Sequence, residues 1–126
     1  MTIEQSFNDF WNSFGVAAFH EASVPDEAQF ERMGIAPYPR ITYSLQTNDF
    51  GVPTSLTASV WDRSTSWKST AELRDQIINR LKDGGVKIND GKIWIKTGAP
   101  TSSPMSDPDD TIKRIVINIE TEYLEV

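Results

Sequence analysis

Two runs of alternating apolar and polar residues constrain the fold of this chain more than any other feature of its sequence. They occupy residues 40–47 (RITYSLQT) and 54–61 (TSLTASVW). The apolar positions are Ile41, Tyr43 and Leu45 in the first run, and Leu56, Ala58 and Val60 in the second. Side chains of a β-strand alternate between the faces of its sheet, so each run predicts a strand with one buried face. Because the turn-forming residues NDFGVP lie between the runs, we expect an antiparallel hairpin.

Before this hairpin, the apolar residues are spaced as in a helix. They are Ile3, Phe7, Phe10, Trp11 and Phe14, which fall on one stripe. Thr2 is placed to cap the start of this helix and Gly15 to end it. The stripe indicates a helix that packs on a sheet and contributes to the core. The next stretch is less informative: residues 16–21 are expected to form a short strand, and residues 25–33 a helical turn or a loop.

A second helix is predicted after the hairpin, from about Thr70 to Asp83. Its buried stripe is Leu73, Ile77, Ile78 and Leu81. Ser69 and Glu72 have the spacing of a capping box, in which each side chain accepts a hydrogen bond from a free backbone N–H. The pair Gly84-Gly85 supplies a left-handed stop.

Three further segments complete the predicted sheet region. VKI and KIWIK flank the turn sequence NDG at residues 89–91, which predicts a second hairpin. Residues 97–110 (TGAPTSSPMSDPDD) contain three prolines and no apolar period, so a mobile loop is expected there. The final run alternates around Ile115, Ile117 and Ile119, which predicts a long strand that is central at its start. The order α-β-β-α-β-β-β predicts one α+β domain spanning residues 1–126, a mainly antiparallel sheet with helices packed on one face.

Composition narrows the function classes. The chain has no cysteine, which excludes disulfides and thiolate metal sites. Its net charge of −6 provides no basic surplus for sequence-specific nucleic-acid binding. No segment has the pattern of a signal peptide or a membrane span. Residues 1–66 carry 3 basic and 8 acidic groups, against 9 and 10 in residues 67–126. Most such asymmetries are solvated surface, and the alternative is that this one favours head-to-tail contacts between copies.

The residue types that carry catalysis do not form a recognisable pattern. His20 is the only histidine and has no metal-ligand spacing around it. The serines lack a G-x-S-x-G elbow, and no glycine-rich phosphate loop is present. The cluster SDPDD at residues 106–110 lacks the glycine and the distal glutamate of a calcium loop. We therefore predict a protein that is not an enzyme, with no catalytic, cofactor-binding or metal-binding residues.

The tryptophans point instead to contacts between subunits. Trp61 follows Val60 in its strand, so it lies on the opposite face, and it is exposed there if helices cover one face only. Trp94 is likewise opposite its isoleucine neighbours. Exposed tryptophan with Arg63 nearby has the composition of an interface hot spot. The alternative is that the first helix or the 97–110 loop covers Trp61 within the same chain. The candidate subunit-contact residues are Trp61, Arg63, Trp94, Asp107, Asp109 and Asp110.

Four segments together resemble the tail terminator, or tail completion, proteins of long-tailed bacteriophages. These segments are PYPRITYSL, TASVWDRSTSW, STAELRDQIINRL and GGVKINDGKIWIKTG, followed by a closing strand with aromatic and acidic residues. The resemblance covers roughly residues 37–126, and the Pro39-Arg40 pair departs from the simplest pattern. It implies an α+β subunit of a ring, typically a hexamer, that caps the tail tube and forms the tail side of the head–tail interface.

The partners that the resemblance implies are other copies of the chain, the tail-tube protein and the head–tail connector proteins. Its location would be the host cytoplasm during assembly and then the tail or neck of the virion. Two alternatives remain open: another head–tail joining protein, or a small-ligand or carbohydrate-binding module. The latter would use Trp61, Trp67 and Trp94 as stacking platforms. Trp67 is otherwise expected to pack on the start of the second helix.

Overall fold

The structure is a computed structural model that describes residues 1–125. Its helices and strands, in chain order, are α1 (Ile3–Asn12), β1 (Ala17–His20), α2 (Glu27–Met33), β2 (Arg40–Tyr43), β3 (Thr54–Arg63), α3 (Lys68–Leu81), β4 (Val86–Ile88), β5 (Ile93–Met105) and β6 (Ile112–Tyr123). The predicted α+β class is confirmed. The weakly signalled stretch between residues 16 and 39 contains both a strand and a helix.

The strands form one six-stranded sheet in the order β1-β2-β3-β6-β5-β4. Every neighbouring pair is antiparallel except β1 and β2, which are parallel. Both predicted hairpins are present, and the backbone of the NDG turn has positive φ at all three residues. The closing strand β6 lies between β3 and β5, where Ile115, Ile117 and Ile119 are almost fully buried. This central position explains why its alternation is the strongest in the chain.

Helices α1 and α3 pack on the same face of the sheet and form the core with it. The aromatic stripe of α1 is buried, as predicted, and Trp11 stacks on Tyr43 with 6.1 Å between ring centroids. Thr2 caps α1 in a capping box with Gln5. From α3, Leu73, Ile77 and Leu81 face the sheet.

The opposite face of the sheet is covered only at its β1–β2 end. There α2 contributes Phe30, which is 2% exposed and packs edge-to-face on Phe19 at 5.5 Å between centroids. Phe19 pairs with Thr42 and therefore points away from the core residue Tyr43. On β3, β6 and β5 no helix of the described residues covers this side. We call the surface of these three strands opposite α1 and α3 the open face.

The predicted cap of the second helix is wrong. Helix α3 begins at Lys68, two residues earlier than expected, and its N-cap residue Trp67 makes no side-chain capping bond. The hydroxyl of Ser69 instead donates to the carboxylate of Asp62 at the end of β3. A hydrogen bond to a charged carboxylate is stronger than one between neutral groups. The Ser69 hydroxyl therefore binds Asp62 instead of capping the helix.

The loop predicted at residues 97–110 is wrong for most of its length. Residues as far as Met105 belong to β5, and they pair with β6 after a register shift between Thr97 and Ser102. Two of the three prolines, Pro100 and Pro104, are part of this strand. An edge strand tolerates proline because its outer side needs no backbone donor, which is why the prolines do not interrupt it. The remaining connection to β6 is short and contains the SDPDD cluster.

Candidate interaction surface

The most unusual feature of the open face is a tryptophan held between two arginines. Strand pairing places Trp61 of β3 opposite Arg40 of β2 on one side and Arg114 of β6 on the other. The guanidinium carbon of Arg114 lies 4.6 Å from the indole centroid, and that of Arg40 lies 5.5 Å from it. The indole N–H donates to the hydroxyl of Thr42 at 2.9 Å. The ring is thus half-buried by its own chain rather than fully exposed.

Tyr38 extends this arrangement toward α2. The guanidinium carbon of Arg40 is 4.7 Å from the tyrosine ring centroid, and that of Arg63 is 5.3 Å from it. Cations and aromatic rings therefore alternate in the order Arg63, Tyr38, Arg40, Trp61, Arg114, which we call the arginine–aromatic stack. Each cation–π contact at a partly exposed site is worth about 0.5–1 kcal/mol, so together they order this part of the open face.

The charges of the stack are poorly compensated within the chain. Arg63 pairs with Asp109 at 3.5 Å, but both side chains are about half exposed, so this ion pair contributes little stability. Arg114 donates from Nε to the neutral hydroxyl of Ser59 at 3.1 Å. The Nε atom of Arg40 is buried and has no hydrogen-bond acceptor among the described residues. Among residues 1–125, no carboxylate lies within salt-bridge distance of Arg40 or Arg114.

A cavity of about 430 Å³ opens beside the stack, between α2 and the segment that leads into β2. Its wall includes the rings of Phe30 and Tyr38 and the side chains of Arg40 and Arg63. Asp26 also lines it, but its carboxylate caps α2 by accepting from the backbone N–H of Gln29 at 2.8 Å. Glu27 is a second acidic residue in the wall. The cavity therefore offers two guanidinium groups and two aromatic rings to a ligand, next to two carboxylates of its own chain.

The loop after β5 is ordered by its own aspartates. Asp109 accepts hydrogen bonds from the hydroxyl and the backbone N–H of Thr111, and these bonds, with a smaller contribution from Arg63, hold the pKa of Asp109 below its usual 3.8. Asp107 accepts from the backbone N–H of Asp109 at 2.9 Å. The backbone carbonyl of Asp110 accepts from Lys113 at 2.5 Å. The loop consequently lies against Arg63, at one end of the stack.

Trp94 lies on the open face but at the other end of the sheet. It pairs with Glu122, eight residues along β6 from the Arg114 that pairs with Trp61, which corresponds to roughly 27 Å along the strand. Its indole N–H donates to the carbonyl of Gly84 at 2.6 Å, and the ammonium group of Lys96 lies 4.2 Å above the ring. Trp61 and Trp94 therefore do not form one stacking platform.

Trp67 is the third tryptophan that a ligand-binding module would use as a stacking platform, and it makes a separate contact. It stands at the start of α3 and is 40% exposed, with the ammonium group of Lys113 5.4 Å from its ring. Its predicted position at the start of the helix is confirmed. None of the three rings shares a site with another.

Both edges of the sheet are protected against the addition of another strand. On β1, the side chain of Asn12 binds both backbone groups of Ala18, accepting from its N–H at 3.0 Å and donating to its carbonyl at 3.3 Å. On the other side, β4 pairs only with residues 93–95 of β5, which leaves the rest of β5 as an edge. That edge contains Pro100 and Pro104, which have no N–H to offer to an incoming strand. Strand addition is therefore disfavoured at Ala18 of β1 and along this part of β5, and the open face is a surface available for docking.

Of the candidate contact residues, the structure brings Trp61, Arg63 and Asp109 into one region and leaves Trp94 outside it. Sequence reasoning missed Tyr38, Arg40 and Arg114. The contact of Arg40 with Trp61 could have been predicted, because the predicted hairpin places Arg40 at the strand end that faces Trp61. The contact of Arg114 could not, because β3 and β6 are separated by about fifty residues and no local sequence pattern determines their register.

Other types of site are not evident in the described residues. They contain no group of three or more histidine, cysteine, aspartate or glutamate side chains positioned to hold a metal ion. His20 accepts a hydrogen bond at Nδ1 from the backbone N–H of Ala22, at 3.2 Å, and caps a short helical turn. None of the helices in residues 1–125 is long and apolar enough to cross a bilayer. The chain matches no family model, no curated protein and no solved structure.

Proposed function

We propose that this chain is a non-enzymatic structural subunit of a long-tailed bacteriophage, a tail terminator that assembles as a ring and caps the tail tube. The observation that carries the proposal is the arginine–aromatic stack on the open face. Arginine, tryptophan and tyrosine are the residues most enriched at the energetic centres of protein interfaces. The stack holds all three types, pre-ordered by their mutual contacts, on the open face, which no helix of residues 1–125 covers.

The pre-ordering matters for affinity. Immobilising a long side chain on binding costs about 0.5–1.5 kcal/mol, and the stacked side chains have lost much of that freedom before any partner arrives. The closed sheet edges favour the same mode of assembly, since face-to-face docking is then the route left for copies to associate. Copies that dock through two different surfaces close into a ring when the rotation between neighbours allows it. The resemblance in residues 37–126 supplies the identity of the assembly and its tail-tube partner.

Native mass spectrometry of the purified chain at several concentrations tests the ring. We expect a single closed oligomer, six copies if the resemblance extends that far, that binds the tail-tube protein. Arg114→Ala should weaken assembly, whereas Lys92→Ala, a matched loss of charge at the exposed β4–β5 turn, should not. A chain that stays monomeric and does not bind tail-tube protein contradicts the proposal.

A different position in the same assembly would give a different set of partners. A head–tail joining protein would bind the connector but not the tail-tube protein. Pull-down of virion fractions on the immobilised chain separates the two, since the terminator is expected to retain the tail-tube protein.

A further inference from the structure

We infer that the arginine–aromatic stack is the docking site for an acidic patch on a second copy of this chain, formed by Glu4 and Asp9 of α1, with Glu21 following the cavity residue His20 in the chain. The inference rests on the proposed ring and specifies which two surfaces meet in it. It is carried by charge complementarity between a stack in which Arg40 and Arg114 have no carboxylate within salt-bridge distance and an acidic patch that has no lysine or arginine within that distance, both among residues 1–125.

The basic side of this contact is incomplete in the free subunit. Arg40 has no carboxylate within salt-bridge distance among residues 1–125, and its Nε has no hydrogen-bond acceptor there. Arg114 satisfies its Nε with a serine hydroxyl but has no anion. The cavity beside Arg40 and Arg63, at about 430 Å³, is wide enough for a carboxylate side chain, and Asp26 and Glu27 of the same chain also line it. A carboxylate is also the planar group that pairs best with guanidinium.

The acidic side is built from the start of the chain. Glu4 and Asp9 are both exposed and line one cavity of about 380 Å³, together with His20 and Tyr43. Glu21 follows His20 directly and is also exposed. No lysine or arginine of the described residues lies within salt-bridge distance of these three carboxylates. The negative field of Glu4 reaches Tyr123, where it adds to the effect of burial in raising the pKa of the phenol.

The two patches lie where they cannot neutralise each other within one subunit. The acidic cavity lies at the β1 edge of the sheet, where Tyr43 and Phe19 both line it, and the stack is built on Arg40 and Trp61 of β2 and β3. Two complementary but different surfaces produce a head-to-tail contact, which generates a ring or a filament rather than a symmetric dimer.

A charge-exchange experiment tests this assignment. The basic-side variant combines Arg63→Glu with Arg114→Glu, and the acidic-side variant combines Glu4→Lys with Asp9→Lys. Each should raise the concentration needed for half-assembly at least tenfold, as measured by native mass spectrometry. A single chain that carries all four changes, or an equimolar mixture of the two variants, should restore assembly because every interface then joins opposite charges again.

A matched control changes the charge by the same amount elsewhere. Glu72→Lys with Asp75→Lys places two lysines on the exposed side of α3, and this variant should assemble like the unaltered chain. Thermal melting of each variant separates loss of folding from loss of assembly. If Arg114→Glu lowers the melting temperature markedly, Arg63→Glu alone is used, since its half-exposed side chain carries little of the fold.

The outcomes separate this inference from the proposed function. If the unaltered chain forms no ring, the proposed function fails. If the ring forms but either folded variant assembles normally, the function stands and the inference is wrong. If both variants lose assembly and neither the four-change chain nor the mixture recovers it, the two patches do not face each other and the inference is again wrong. Recovery supports it.

Discussion

Replacing Trp61 with alanine is the most direct test of whether this side chain is held by its own chain. Truncating a fully buried tryptophan costs about 3–5 kcal/mol, and a half-buried one about half of that, roughly 2 kcal/mol. The lost bond from the indole N–H to Thr42 adds about 1 kcal/mol. We therefore expect Trp61→Ala to lower the free energy of unfolding by about 3 kcal/mol. With a urea dependence of about 2 kcal/mol per molar, the midpoint of unfolding falls by about 1.5 M.

The conservative change Trp61→Phe serves as the control. It keeps an aromatic face between Arg40 and Arg114 and removes the N–H donor, so it should cost about 1 kcal/mol. Far-UV circular dichroism of the monomer in urea is the assay, because it does not depend on the removed fluorophore. If Trp61→Ala unfolds within about 0.5 kcal/mol of the unaltered chain, the stack contributes nothing to the subunit and the stability argument above is refuted.

Three further predictions concern other parts of the fold. Gly85→Ala should lower the free energy of unfolding in urea by several times as much as Gly84→Ala does. Both glycines have positive φ, but a Cβ at Gly85 would clash with a backbone carbonyl, whereas nothing lies near the Cβ position of Gly84. An NMR titration should give Asp109 a pKa below 3.8, and Thr111→Val should raise this pKa. Because the pKa is depressed in the folded state, the loop contacts of Asp109 are complete above pH 3.8 and are lost as the pH falls through the folded pKa. Asn12→Leu should increase aggregation in light scattering by exposing the backbone groups of β1, and unchanged solubility would show that the edge is protected by other means.

Local patterns were sufficient for the parts of the fold that have local causes. The stripe of α1, the two hairpin turns and the alternation of β6 each follow from side chains close together in sequence, and each prediction was confirmed. The parallel pairing of β1 with β2 has no such signal, because the residues that pair are more than twenty positions apart. The cap of α3 failed for a related reason. Ser69 has the right spacing for a cap, but a carboxylate seven residues earlier binds its hydroxyl.

The candidate site, like the fold, could be predicted only where it depends on residues close together in the sequence. Alternation alone places Trp61 and Arg63 on the side of β3 opposite the core, and the structure agrees. The partners that define their environment come from β2, β6 and the segment before β2, and only the sheet register brings them together. The expectation that an uncovered face leaves tryptophan exposed was incomplete. It ignored the ability of long arginine side chains to lie across an aromatic ring and cover it without a helix.

The cover that arginine provides differs from the cover that a helix provides. A helix buries a tryptophan with apolar groups that need nothing further, whereas guanidinium groups keep several donors that still require acceptors. Among residues 1–125, Arg40 and Arg114 have no carboxylate within salt-bridge distance, and Arg114 donates only to the neutral hydroxyl of Ser59. The open face thus stabilises the free subunit while leaving two guanidinium groups without a counter-ion. A subunit built in this way folds before it assembles, and assembly then has a specific electrostatic requirement, which the charge-exchange variants are designed to measure.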